Sequence, residues 1–147
     1  MDADLVARLR GVIPRLAREF NDTSTGEGLT PTQYSVLALV RSRGPLGLAE
    51  LTELEGLNPT MVSRIIKVLD ERDLIRRMPD PHDLRAVRLA ATPMGEQVHD
   101  RVRAQRTQVL SERLGQLPPE IAETLLAAVP AMEALAEAVR PLPRAAR

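Results

Sequence analysis

The segment "LNPTMVSRIIKVLDERDLIRRMPDPHDLRAVRLAATPMG", residues 57–95, decides how the chain is read. Asn58 followed by Pro59 is a helix start. A short acceptor side chain sits at the N-cap, and the next residue lacks an N–H that the first turn would leave unpaired anyway. Val62, Ile65, Ile66 and Leu69 recur on one side of a helix over about residues 58–72, and Thr60, Ser63, Arg64, Lys67, Asp70 and Glu71 occupy the other. Leu74–Met78 and Ala86–Ala91 then read as two short strands around the turn-forming tip "PDPHD". Alternation puts Val87 and Leu89 on one side of the second strand and Arg88 on the other. Thr92-Pro93 repeats the signal of a cap followed by proline and opens a further helix.

Upstream, "LTPTQYSVLALVRSRG" carries the same start: Thr30 as N-cap, Pro31 as first helical residue and Gln33 as capping-box partner. Gly44-Pro45 ends that helix. "GLAELTELEG" is a short helix expected to turn Leu48, Leu51 and Leu54 inward, closed by Gly56. Leu54 is also expected to help hold the following helix. Before these, Leu5, Leu9, Val12, Ile13, Leu16 and Phe20 mark a helix over about residues 4–21, which Pro14 should kink or split. "NDTSTGEG" is a loop by composition. Downstream, a helix from Pro93 to about Leu114 precedes a last one from Pro119 to Val139 that is interrupted at Pro130, and the tail "PLPRAAR" is expected to fray.

Composition bounds what such a chain does. It has 147 residues, 44% of them hydrophobic and 27% charged, which suits one soluble domain with a real core, or one domain with an appended element. One Phe, one Tyr and no Trp leave the core to aliphatic side chains on packed helices. The formal net charge is zero, which excludes a globally basic nucleic-acid binder but not a local basic face. Of the 20 basic residues only Lys67 is a lysine, so arginine abundance alone says little about DNA. The lack of cysteine excludes disulfides, thiolate metal sites and thiol redox sensing. His82 and His99 are the only histidines, expected on the hairpin and on a helix surface, and no metal or cofactor site is expected. Ser24, Ser35, Ser42, Ser63 and Ser111 lie in no nucleophile motif and no phosphate-cradling glycine loop is present, so an enzyme is not expected. The acidic opening Met1-Asp2-Ala3-Asp4, with no apolar run behind it and no membrane span elsewhere, makes a cytoplasmic protein the expectation.

The order of elements is that of a winged helix-turn-helix: mainly α, with a small two- to three-stranded β wing. The short helix and the helix from Asn58 form the pair, with Gly56 in the turn, and the second of them is the recognition helix. On it Thr60 and Ser63 are short donors for phosphate or base edges, Arg64 reaches a guanine edge, and Lys67 one turn on neutralises a phosphate. An ordinary surface helix carries similar residues, and the order of elements is what favours recognition. The wing, about residues 74–91, presents Arg85 to a minor groove, with Asp83 two residues earlier as its brace. A solvated hairpin with a weak ion pair is the alternative on spacing alone.

The quoted segment resembles the recognition helix and wing of the multiple antibiotic resistance regulator (MarR) family of transcription factors. The family's D-x-R wing signature matches Asp83-Leu84-Arg85, Thr92 and Gly95 fall at its spacings after the wing, and "LTPTQYSVLALV" is similar to its second helix. Asp73 stands where the family often has Gly, and Ala91 where it commonly has Leu. The resemblance implies a homodimer on a palindromic operator in double-stranded DNA. Residues 1–28 and 93–147 would be helical dimerisation regions, and 29–92 the DNA-binding domain. It also implies a repressor released by a small, often aromatic, anionic ligand, for which Arg15, Arg18 and Tyr34 are candidate contacts. The competing function is a winged-helix module that binds protein instead of DNA. Whether Arg76, Arg77, Arg88 and His82 touch DNA stays open at this level.

Overall fold

The structure, a computed structural model, describes residues 1–21 and 27–139. The middle of the "NDTSTGEG" loop and the "PLPRAAR" tail lie outside the described residues. Met1–Thr107 and Gln108–Arg147 are two compact units.

In the first unit, α1 (Ala3–Asn21) is one helix with Pro14 inside it, not split at the proline. α2 (Pro31–Arg43) begins as its cap dictates. The Thr30 hydroxyl accepts from the Gln33 N–H at 3.2 Å, and the Gln33 side chain accepts from the Thr30 N–H at 3.0 Å. A two-residue strand, β1 (Leu46–Gly47), leads into α3 (Leu48–Glu55) and then α4 (Pro59–Glu71). Strands β2 (Ile75–Pro79) and β3 (Val87–Ala91) form the hairpin, and α5 (Pro93–Gly115) leaves it and runs into the second unit. The sheet is antiparallel in the order β1-β3-β2, with Leu46 opposite Leu89 and Arg77 also opposite Leu89 across the other edge.

The core is aliphatic. Leu29, Val36, Leu37 and Val40 meet Leu51, then Val62, Ile65, Ile66 and Leu69 of α4, Leu74, Ile75 and Leu89 of the hairpin, and Val98 and Val102 of α5. Two sequence expectations change here, at α3 and at His99. Only Leu51 of α3 is buried, while Leu48 and Leu54 are exposed, so Leu54 does not help to bury α4. An eight-residue helix presents a stripe one residue wide, and its neighbours at i±3 lie to either side of it. Val87 is exposed although it shares a strand face with buried Leu89, because it sits where the hairpin has run past the core. His99 is buried and not on a helix surface.

Two local devices fix the hairpin to its neighbours. Asp73 takes a left-handed conformation, φ 57°, after α4, which its short polar side chain tolerates. Thr92 caps α5 by accepting from the Gly95 N–H at 2.9 Å, and its hydroxyl donates to the Asp73 carbonyl at 2.5 Å. Gly95 is there because a Cβ would stand 1.9 Å from the Leu74 carbonyl oxygen.

In the second unit, α6 (Pro119–Ala127) and α7 (Val129–Ala138) replace the single interrupted helix, with Pro130 in the first turn of α7. Ile121, Leu125, Leu126, Val129, Met132 and Leu135 are all exposed there. In the first unit α1 buries none of its residues, and Leu5, Leu9, Val12, Ile13 and Leu16 are exposed. Among the described residues no helix is long and apolar enough to cross a membrane.

Candidate nucleic-acid interface

The outer face of α4 is prepared from its first residue. The Asn58 carboxamide oxygen accepts from the Met61 N–H at 2.9 Å and fixes the first turn. With Val62, Ile65, Ile66 and Leu69 buried, helical geometry leaves Thr60, Ser63, Arg64 and Lys67 exposed together. Lys67 lies 3.8 Å from Glu71, one turn on, and both are largely exposed. At the far end, Arg72 donates to the Glu27 carbonyl at 2.6 Å and the Gly28 carbonyl at 3.2 Å. Glu27 in turn meets Arg101 of α5 at 2.7 Å, and that hydrogen bond holds its carboxyl below the ordinary range.

The wing is organised around Asp80. Its carboxylate accepts from the Arg88 Nε–H at 2.9 Å and from the backbone N–H groups of His82 at 2.8 Å and Asp83 at 3.3 Å. The Arg88 hydrogen bond, and then that from His82, lower the Asp80 pKa. Arg88 also donates to the Pro45 carbonyl at 3.2 Å, tying the wing to the segment before β1. Asp83 accepts from the Arg85 backbone N–H at 3.0 Å, so it shapes the turn and does not grip the Arg85 guanidinium. Arg77 is spent on Asp70 of α4 at 3.1 Å. Arg77 and Arg88 are therefore structural links, whereas Arg64, Arg76 and Arg85 have no carboxylate partner among the described residues. Sequence patterning singled out Asp83 and passed over Asp80, whose part depends on the hairpin register that brings Arg88 back to it.

Tyr34 stands elsewhere in the same unit. Its ring is stacked on His99, centroids 5.3 Å apart and planes within 8°, and the Arg106 Cζ lies 4.3 Å from its centroid. Burial raises the Tyr34 pKa. The His99 Nδ1 lies 3.2 Å from Asp100, which also meets Arg41 at 3.0 Å. A cavity of about 420 Å³ opens beside Tyr34, lined among others by Thr32, Ser35, Glu55 and Arg106, with Asn21 as its α1 member. Arg15 and Arg18 are exposed on α1 and are not among its lining residues. Among the described residues no group of three or more acidic or histidine side chains could hold a metal ion.

Comparison with known proteins agrees with this geometry. The sequence model of the MarR family matches residues 29–87. The transcriptional repressor MdtR of Bacillus subtilis is 26% identical over 118 residues, 80% of this chain and 76% of that protein. Two crystal structures have the same fold at 26% identity. RV1404 of Mycobacterium tuberculosis has a TM-score of 0.73, covering 90% of this chain and 93% of that one. The transcriptional regulator Tm0710 of Thermotoga maritima has a TM-score of 0.71, covering 92% and 96%. The fold and the relatives are those of winged helix-turn-helix transcription regulators, not of enzymes. Residues 29–87 match the MarR family of such regulators.

Proposed function

We propose that this chain is a homodimeric repressor of a palindromic operator, released by a small molecule, and that it works in the cytoplasm. Residues 29–92 bind DNA: α4 enters the major groove and the wing tip the adjacent minor groove. Asn58 positions the first turn, Thr60, Ser63 and Lys67 meet phosphates or base edges, and Arg64 reads a guanine through its two-pronged fork. Arg85, oriented by the turn that Asp83 shapes, reads a narrow minor groove. One observation carries this assignment: Arg64 and Arg85 are exposed without a carboxylate partner among the described residues, while Arg77 and Arg88 are consumed in holding the wing.

Residues 1–28 and 93–147 form the dimer. The exposed apolar stripe of α1 and that of α6 and α7 support this, since contiguous apolar surface on a soluble chain is normally covered. A second copy brings the complementary surface by symmetry and sets the two half-sites about one helical turn apart. The cavity beside Tyr34 is the place for the effector. The test is a mobility-shift titration on a duplex selected by this protein. Arg85→Ala should weaken binding and relax preference in the flank that the wing contacts, and wild-type affinity in that variant would remove the wing from the mechanism. Binding insensitive to salt would instead favour a protein-binding module, because phosphate contacts release counterions and weaken steeply with salt.

A further inference from the structure

Met61 is out of keeping with the face of α4 that it joins. The Asn58 carboxamide oxygen accepts from its backbone N–H at 2.9 Å, which fixes it in the first turn. Met61 is 45% exposed, while Val62 beside it is fully buried, so it is not part of the core stripe. Beyond Pro59, the other exposed residues of α4 are Thr60, Ser63, Arg64, Lys67 and Glu71, all of them polar. Single apolar side chains on a surface are common and usually need no explanation. This one stands in the N-terminal turn of a recognition helix, the part that meets base edges.

The edges that bases present in the major groove are almost wholly polar. Guanine offers N7 and O6 acceptors, adenine an acceptor and an amino donor, and cytosine an amino donor. The one apolar group is the C5 methyl of thymine. A side chain without hydrogen-bonding groups gains by covering that methyl. Against the amino group of cytosine or adenine it covers a donor and leaves it unpaired, which costs more than a lost contact. Met also suits the task by its build, since it is unbranched, polarisable and adaptable in its reach.

We infer that Met61 is a specificity-determining residue of α4, and that it selects thymine by its methyl group beside the guanine that Arg64 reads. Met61 and Arg64 are three residues apart, which sets their Cβ atoms about 5–6 Å apart on the helix surface. Base pairs are stacked about 3.4 Å apart, so the thymine falls within roughly two base pairs of that guanine, on either strand. This rests on the proposal that α4 enters the major groove. It adds a contact that carries sequence information without a hydrogen bond.

The test uses the full chain and a duplex that it has selected. Each thymine of the half-site is replaced in turn by uracil, which keeps the base pair and removes only the methyl group. Fluorescence anisotropy gives the affinities. At one position beside the guanine whose preference Arg64→Ala relaxes, uracil should weaken wild-type binding about fourfold, the worth of one buried methyl group. Met61→Ala should bind thymine and uracil equally there and keep the guanine preference. Met61→Gln, similar in length but polar, should lose the discrimination as well, and Met61→Leu should keep most of it. Arg64→Ala should keep the methyl effect. The absence of any uracil-sensitive position near that guanine, or an undiminished uracil effect in Met61→Ala, would overturn the inference. Selection of a sequence that depends on Arg64 but shows no methyl effect ends the role of Met61 and leaves the regulator. A chain that binds no DNA ends both.

Discussion

Asp80 at the wing tip and Arg88 on β3 are joined at 2.9 Å, and the same Arg88 reaches the Pro45 carbonyl at 3.2 Å. The wing tip is thereby tied to the segment before β1 through one carboxylate and one guanidinium, eight residues apart in sequence and across a hairpin in space, beside the separate Arg77–Asp70 link to α4. Asp80→Asn keeps the shape but gives up the charge. We expect a several-fold loss of affinity for the selected duplex, concentrated in the wing-contacted flank, with little change in melting temperature. Fluorescence anisotropy on matched and flank-altered duplexes reads it, and undiminished flank preference would free the wing from this anchor.

The same pair sets a pH dependence. The Asp80 pKa is lowered, through the Arg88 hydrogen bond first, so the carboxylate stabilises the wing above the ordinary value of 3.8. That contribution is lost as pH falls through the lowered folded-state value. Amide exchange in residues 80–88 should accelerate as the pH falls below the ordinary aspartate range, after correction for intrinsic rates. Asp80→Asn should show no such step.

Gly95→Ala tests the packing of α5 on the hairpin. The added Cβ would stand 1.9 Å from the Leu74 carbonyl oxygen, a backbone atom that cannot swing away. A loss of about 3 kcal/mol is expected, at the upper end for overpacking. Thermal or urea unfolding measures it, and a change within experimental error would mean that the α5–hairpin contact is looser than described.

Arg64 and Lys67 should separate by kind. Arg64→Ala should cost about 1–3 kcal/mol on the preferred duplex and relax one base position, whereas Lys67→Ala should weaken all duplexes alike and shallow the salt dependence by about one phosphate contact. Affinities across a panel of single-base variants at two salt concentrations distinguish them.

Leu9 and Ile13 of α1 are both exposed on the first unit. The double change Leu9→Arg and Ile13→Arg should convert a dimer in sedimentation into a monomer and abolish operator binding without lowering helical content. A wild-type chain that sediments as a monomer at micromolar concentration would refute the dimer.

Much of this was legible in residues 30–95. Cap-then-proline pairs at Thr30, Asn58 and Thr92 mark starts that local chemistry decides, and Pro31, Pro59 and Pro93 do open α2, α4 and α5. The alternation of Val62, Ile65, Ile66 and Leu69 against Thr60, Ser63 and Arg64 likewise survives, because a helix face is set by spacing. What escaped depends on partners far along the chain. β1 is two residues long and exists only because Leu46 meets Leu89, and no periodicity signals a strand that short. His99 is buried because Tyr34 on α2 covers it. Asp80 becomes the centre of the wing only once Arg88 folds back to it. The cavity is invisible for the same reason, since Glu55 and Arg106 are brought to it by different helices.

Selection of bound sequence from random duplex DNA is the most direct test of the central claim, that two copies of this chain read one DNA site. We predict enrichment of an inverted repeat whose half-sites are centred about 10 base pairs apart, flanked by A·T-rich steps at the wing positions. Recovery of no common sequence, or of a single unrepeated half-site, would contradict it.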